Sequence, residues 1–190
     1  AKLNAKTISA KIAADLNIVI DEALLHADSP FGDYYLSKKL SKDQHVAVKK
    51  AAIAHFESHP QVYSVVDGDV LDKAPLPKGP VDEWTVFERV RASYHADRSG
   101  DFLVMLNKGV TPIANTARGY VATHGSPWDY DRRVPIMFWR KGMASFEQPL
   151  PVQTVDIAPT LGALIGVDMP SDGIDGRCLD LDGGVANSCD

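Results

Sequence analysis

The run Asp101-Phe102-Leu103-Val104-Met105-Leu106 decides how this chain folds. From Phe102 onward it is continuously apolar, of strand length, and shows no polar alternation. Such a run describes a strand in a sheet covered on both faces. Val62-Tyr63-Ser64-Val65-Val66 reads as another strand, and Tyr34-Tyr35-Leu36 has a β-like start within Asp33 to Leu40. Val134 to Trp139 is a second wholly apolar run of the same kind.

Helical patterns lie between these runs. Leu3, Ile8, Ile12 and Leu16 recur near helical spacing, with an end expected near Asn17. Ser29-Pro30-Phe31-Gly32-Asp33 is a turn cluster. Ser41-Lys42-Asp43-Gln44 fits a capping box, in which serine and glutamine side chains satisfy amides at a helix start. Val48, Ala52 and Phe56, with Ile53 beside them, form an apolar face behind it, and Pro60 ends that helix. Asp67-Gly68-Asp69 reads as a turn, and Lys73 to Pro80 as a surface loop rich in Pro and Gly. Trp84, Phe87, Val90 and Arg91 predict a short helix beginning near Asp82. Near the end, Asp156 is expected to cap a helix carrying Ile157, Leu161, Leu164 and Ile165. Pro159 is tolerated in its first turn and Gly166 suits its C-terminal cap. Strands alternating with helices predict an α/β architecture. No repeat or interdomain linker stands out, so residues 1–190 are expected to form a single domain or a fragment of one.

A formal charge of −5 argues against a nucleic-acid partner, which needs a basic face. No apolar run approaches the roughly 20 residues that cross a bilayer, so no membrane partner is expected. The chain opens at Ala1 without an initiator methionine, from which a chain that is processed, trimmed for expression or cut from something longer is expected. Cys178 and Cys189 stand 11 residues apart in a Gly- and Asp-rich tail. They are either a disulfide, which implies an oxidising compartment, or two unrelated free thiols. Their spacing is not a zinc pattern.

Chemistry concentrates in Thr123-His124-Gly125-Ser126-Pro127-Trp128-Asp129-Tyr130-Asp131. Glycine after the histidine has no Cβ, so backbone and ligand can approach closely. With this block stand Ser93-Tyr94-His95-Ala96-Asp97-Arg98-Ser99-Gly100-Asp101 ahead of it and Thr154-Val155-Asp156-Ile157-Ala158-Pro159-Thr160-Leu161 behind it, followed by Asp172-Gly173-Ile174-Asp175-Gly176-Arg177. In order and spacing, over residues 90–180, these blocks resemble the C-terminal third of the alkaline phosphatase superfamily. The resemblance is to its periplasmic bacterial branch, related to type I phosphodiesterase/nucleotide pyrophosphatases.

That resemblance implies the C-terminal part of an alkaline-phosphatase-like sandwich, with a central, mostly parallel sheet flanked by helices. It implies a zinc-dependent phosphate-ester hydrolase, a phosphomonoesterase or phosphodiesterase, with two zinc ions and a covalent phosphoenzyme on a Thr or Ser. It places the protein in the periplasm or otherwise outside the cytoplasm. His124 stands where the family has a zinc ligand, and it is the metal-ligand candidate. The remaining ligands and the nucleophile belong to upstream blocks, and no Asp-His pair or Asp-x-x-x-His spacing occurs here. The chain is therefore expected to be inactive alone, to hold zinc weakly at most, and to have the N-terminal remainder of the same polypeptide as its partner. No catalytic residue is assigned. The alternative is a stand-alone, non-catalytic binding module on the same fold.

The other polar candidates have structural readings. His45, His55 and His59 lie on or beside a polar helix face and read as solvated, and His95 as a loop contact. Arg98 and Asp101 suggest an ion pair at the strand entry, the alternative being an arginine that reaches a substrate phosphate. Asp129 and Asp131 are either partners that orient the His124 ring or turn residues around Pro127. Ser126 has no base at a recognisable spacing, which argues against a serine hydrolase.

Overall fold

Strand β4 (Phe102–Leu106) is buried at every position, as its uninterrupted apolar sequence predicts. The computed structural model describes residues 3–29, 31–113, 117, 119–170 and 172–190; Pro30 of the turn cluster lies outside them. Two compact units divide the chain, Ala1–Pro77 with Thr85–Arg133 and Lys78–Trp84 with Val134–Asp190.

In the first unit β4 sits inside a four-stranded sheet with β1 (Leu25–His26), β2 (Gly32–Leu36) and β3 (Val62–Asp67), in the order β1-β2-β4-β3. Alternate residues of β4 face opposite layers. Phe102 and Val104 join Ile8 and Ile12 of α1 (Ala5–Asp15) and Val48, Ala52 and Phe56 of α2 (Lys42–Glu57). Leu103 and Met105 join Leu71 of α3 (Gly68–Lys73) and Val90 of α4 (Val86–Ser93). Helices thus cover both faces of the strand. Tyr34 and Phe102 stack with centroids 5.3 Å apart, and Phe56 lies 4.5 Å from Tyr34. Truncating Phe56, which is fully buried, to alanine removes about 3–5 kcal/mol.

The α/β class holds, but strand direction corrects the expectation of a mostly parallel sheet. All three described pairings are antiparallel, with Asp33 opposite Leu103 and Val65 opposite Val104. Since β2 and β3 both run against β4, they run parallel to each other, and α2 joins them. The β-α-β alternation therefore signals a real parallel relationship. What it cannot signal is that a later strand inserts between the two.

Local chemistry sets the element ends. Ser41 Oγ accepts from Gln44 N–H at 3.3 Å and Gln44 Oε1 accepts from Ser41 N–H at 2.9 Å, the expected capping box. The expected turn at Asp67-Gly68-Asp69 is instead the start of α3: the Asp67 side chain accepts from Asp69 N–H at 2.9 Å as a helix cap. The next helix begins at Val86 rather than near Asp82, because Thr85 and Glu88 form a second capping box. Gly100 is required where β4 enters the sheet, since a Cβ there would lie 2.6 Å from the Tyr34 carbonyl oxygen.

In the second unit, α6 (Ile157–Leu164) follows a tight turn at Thr154–Asp156. Asp156 does not cap α6 with its side chain. Buried, it accepts from Gln153 N–H at 2.8 Å and Arg177 N–H at 2.9 Å, joining distant parts of the chain. The Cys178–Cys189 disulfide is formed, with Cα atoms 5.8 Å apart. Val134–Trp139 is not a strand. It has no ladder partner among the described residues, and Met137 and Trp139 are 89% and 88% exposed. Apolar content alone cannot make a strand without a neighbouring edge. No helix among the described residues is long and apolar enough to cross a membrane.

Candidate functional site

The His124 segment is an irregular loop that leads into α5 (Asp129–Arg132), a single turn of helix. Having no ladder, it is held by side chains. Trp128 Nε1–H donates to the carbonyl of Leu106, the last residue of β4, at 3.0 Å. The indole meets Tyr63 of β3 edge to face, with centroids 4.9 Å apart. Ser126 gives both its N–H and its hydroxyl to Asp131 Oδ2, at 2.9 and 2.5 Å. Tyr130 Oη accepts from Gly109 N–H at 3.1 Å.

Charge closes the outer side of the loop. Arg89 of α4 donates from Nη1 to the Pro127 carbonyl at 3.0 Å, and the same nitrogen lies 2.9 Å from Asp129 Oδ1. Arg133 reaches that carboxylate from 3.8 Å. Burial, followed by the nearby Arg89 charge, holds Arg132 below the ordinary arginine range.

His124 itself is exposed at a cleft that it lines with Phe31, Thr123, Trp128 and Tyr130. The cleft encloses about 30 Å³, room for ordered water rather than a phosphate ester. Gly125, next to His124, has φ +102°, a conformation that strains any residue with a Cβ.

The remaining candidates are dispersed. Asp131 is engaged by Ser126 as a turn residue, and Asp129 faces arginines. His95 is exposed and its Nδ1 accepts from Asp97 N–H at 3.3 Å, a loop contact as expected. His55 and His59 are half-buried on and beyond α2 rather than fully solvated. Asp101 does not pair with Arg98. Its Oδ1 lies 3.0 Å from His45 Nε2, and its Oδ2 accepts from Leu36 N–H at 2.7 Å. The Arg98 carbonyl accepts from the Tyr35 hydroxyl at 2.9 Å. His45 thus belongs to a packed contact, which its polar helix face concealed. Trp128 and Arg89, which hold the loop, carry no sequence signal of that role because their partners lie 22 and 38 residues away.

No group of three or more His, Cys, Asp or Glu side chains that could hold a metal ion occurs among the described residues. One exposed imidazole is an incomplete donor set, so these residues do not fit a zinc ion by themselves.

No family model matches the chain. It is 46% identical over 98% of its length to alkaline phosphatase PhoK of Sphingomonas sp, of which it covers 34%. It is 41% identical over 98% of its length to alkaline phosphatase PhoD of Zymomonas mobilis subsp. mobilis, of which it covers 32%. The chain thus spans about a third of the length of these curated relatives. Among solved structures, wild-type alkaline phosphatase PafA superposes on 92% of the chain with a TM-score of 0.70 at 23% identity, the match covering 32% of that chain. This last likeness speaks to the fold.

Proposed function

We propose that this chain, similar over nearly its whole length to alkaline phosphatases of which it spans about a third, is the C-terminal segment of a zinc-dependent phosphate-ester hydrolase. In this reading it contributes His124 as one metal ligand, acts on small phosphate esters only together with the N-terminal remainder of the same polypeptide, and turns over nothing alone. The protein works in the periplasm or otherwise outside the cytoplasm.

One observation carries the reading. A chain similar to alkaline phosphatases over nearly its whole length presents an exposed imidazole beside a glycine at positive φ, with no completing donors among the described residues. Such a group is of little use unless other ligands join it. The Cys178–Cys189 disulfide supports an oxidising compartment.

The test is zinc content and p-nitrophenyl phosphate turnover of the purified 190-residue chain. Neither tightly held zinc nor turnover is expected. Turnover at a rate typical of a zinc phosphatase would overturn the reading. In an intact enzyme containing this segment, His124→Ala should lower zinc occupancy and reduce phosphoryl transfer by orders of magnitude, with the fold unchanged. Normal zinc and rate in that variant would remove His124 from the metal site.

A further inference from the structure

The loop that carries His124 has no regular structure of its own between Thr123 and Trp128, so whatever fixes its path fixes the imidazole. The firmest body within reach is β4, buried along its full length. Trp128 connects the two. Its Nε1–H binds the Leu106 carbonyl at the end of β4, at 3.0 Å, and its ring packs edge-on against Tyr63 of the neighbouring β3, at an interplanar angle of 77°. Indole suits this task because one side chain supplies both a broad apolar surface and a directed donor.

From Trp128 the constraint runs back along a short path. Its own N–H reaches Ser126 Oγ at a long 3.4 Å, and Ser126 is held twice by Asp131. Gly125 follows directly, bent at positive φ, with the Phe31 ring 3.9 Å from where its Cβ would be. His124 is next, four residues from the indole and lining the same cleft. Side-chain contacts thus hold the path from the strand end back to Ser126, two residues from the imidazole.

We propose that Trp128 is a positioning residue for His124, transmitting the register of β4 and β3 to the direction of the imidazole. The inference rests on the reading of His124 as the donor through which this chain works.

The test is NMR of the isotopically labelled 190-residue chain, following the His124 Cε1–Hε1 and Gly125 amide signals in wild type, Trp128→Phe and Trp128→Ala. Trp128→Ala is expected to shift and broaden both signals. The Phe102–Leu106 amides should keep their exchange protection, which separates loss of positioning from loss of fold. Trp128→Phe, which keeps most of the ring but loses the N–H, should move them in the same direction by a smaller amount. Unchanged His124 and Gly125 signals in Trp128→Ala overturn the proposal. If that variant fails to fold, Trp128→Phe decides alone, and signals identical to wild type overturn it. Millimolar zinc added to the wild type reads the other question. A His124 signal that zinc leaves in place agrees with an incomplete donor set; the metal-ligand assignment itself fails on normal zinc occupancy of His124→Ala in an intact enzyme containing this segment, a result independent of the response to Trp128 substitution.

Discussion

His45 Nε2 lies 3.0 Å from Asp101 Oδ1, while the other oxygen of that carboxylate accepts the Leu36 N–H at 2.7 Å. One side chain therefore joins α2, β2 and the entry to β4. Replacing Asp101 with alanine leaves a part-buried amide with no acceptor, at a cost of about 1–3 kcal/mol. A lower urea midpoint with an unchanged slope is the expected result. Arg98→Ala should change the unfolding free energy by less than about 0.5 kcal/mol, because the Arg98 carbonyl makes its contact. Equal losses in the two variants would restore an Arg98–Asp101 pair.

Lys49 gives the fold a pH dependence at both ends. Its Nζ lies 2.9 Å from Asp67 Oδ1 and 2.6 Å from Asp69 Oδ2. Burial pulls Lys49 down, but the hydrogen bonds to Asp69 and Asp67 together outweigh it and raise it above the usual 10.5. The hydrogen bond from Lys49, working against burial, holds Asp69 below the usual 3.8. The raised lysine contributes stability that is complete below 10.5 and disappears as pH rises through its folded value. The depressed carboxylate contributes stability that is present above 3.8 and disappears as pH falls through its folded value. Lys49→Met should flatten both arms of a stability profile measured by urea midpoints. Asp69 is 73% exposed, so solvent screening keeps the acid arm shallow. Identical profiles in variant and wild type would dismiss this cluster as the source.

Tyr34 is fully buried between Phe56 and Phe102, and its hydroxyl has no hydrogen-bond partner among the described residues. Burial pushes its pKa up to about 12. An unpaired buried hydroxyl costs on the order of 1–3 kcal/mol, so Tyr34→Phe should stabilise the chain. For a protein of this size that is a rise of at least about 2–4 °C in Tm. A fall in Tm would reveal a partner for the hydroxyl.

Those contacts also mark how far the sequence could be read. The box at Ser41 and Gln44 was legible because its two partners are three residues apart and their chemistry needs nothing else. The β4 run was legible because burial on both faces leaves no polar position in it. Asp67 was misread because an aspartate that caps a helix and one that shapes a turn use the same acceptor. The insertion of β4 between β2 and β3, and the His45–Asp101 contact across 56 residues, leave no local trace. At the candidate site His124 stands out in the sequence through its neighbours, Thr123 and Gly125. The indole and guanidinium that fix its loop do not, since their partners come from elsewhere in the fold.

The disulfide closes a loop that is also tied down by hydrogen bonds. Leu179 N–H reaches Thr160 Oγ1 at 2.9 Å and Leu181 N–H reaches Ser188 Oγ at 2.7 Å, with Cys178 and Cys189 enclosing the second. Replacing both cysteines by serine should cost about 2–3 kcal/mol, as expected for a short closed loop. Hydrogen exchange should accelerate at Leu179 and Leu181 while the Phe102–Leu106 amides stay protected. Unchanged exchange at the two leucines would mean that hydrogen bonds alone hold the tail.

His124 and Gly125 should respond in opposite ways to alanine. The imidazole is exposed, so His124→Ala should leave the unfolding free energy within about 0.5 kcal/mol of wild type. Gly125 has space for a methyl group, its nearest neighbour being the Phe31 ring at 3.9 Å. The obstacle is φ +102°, which an L-residue adopts only at a cost of about 1–3 kcal/mol. Gly125→Ala must therefore either lose that stability or relax the bend and turn His124 away from the cleft. With His124 as the zinc ligand proposed above, relaxation in an intact enzyme containing this segment would reduce zinc occupancy although every ligand is still present. The two routes separate when the midpoint and the zinc content are measured on the same variant. A Gly125→Ala protein with wild-type stability and wild-type zinc would show that the bend does not place the imidazole.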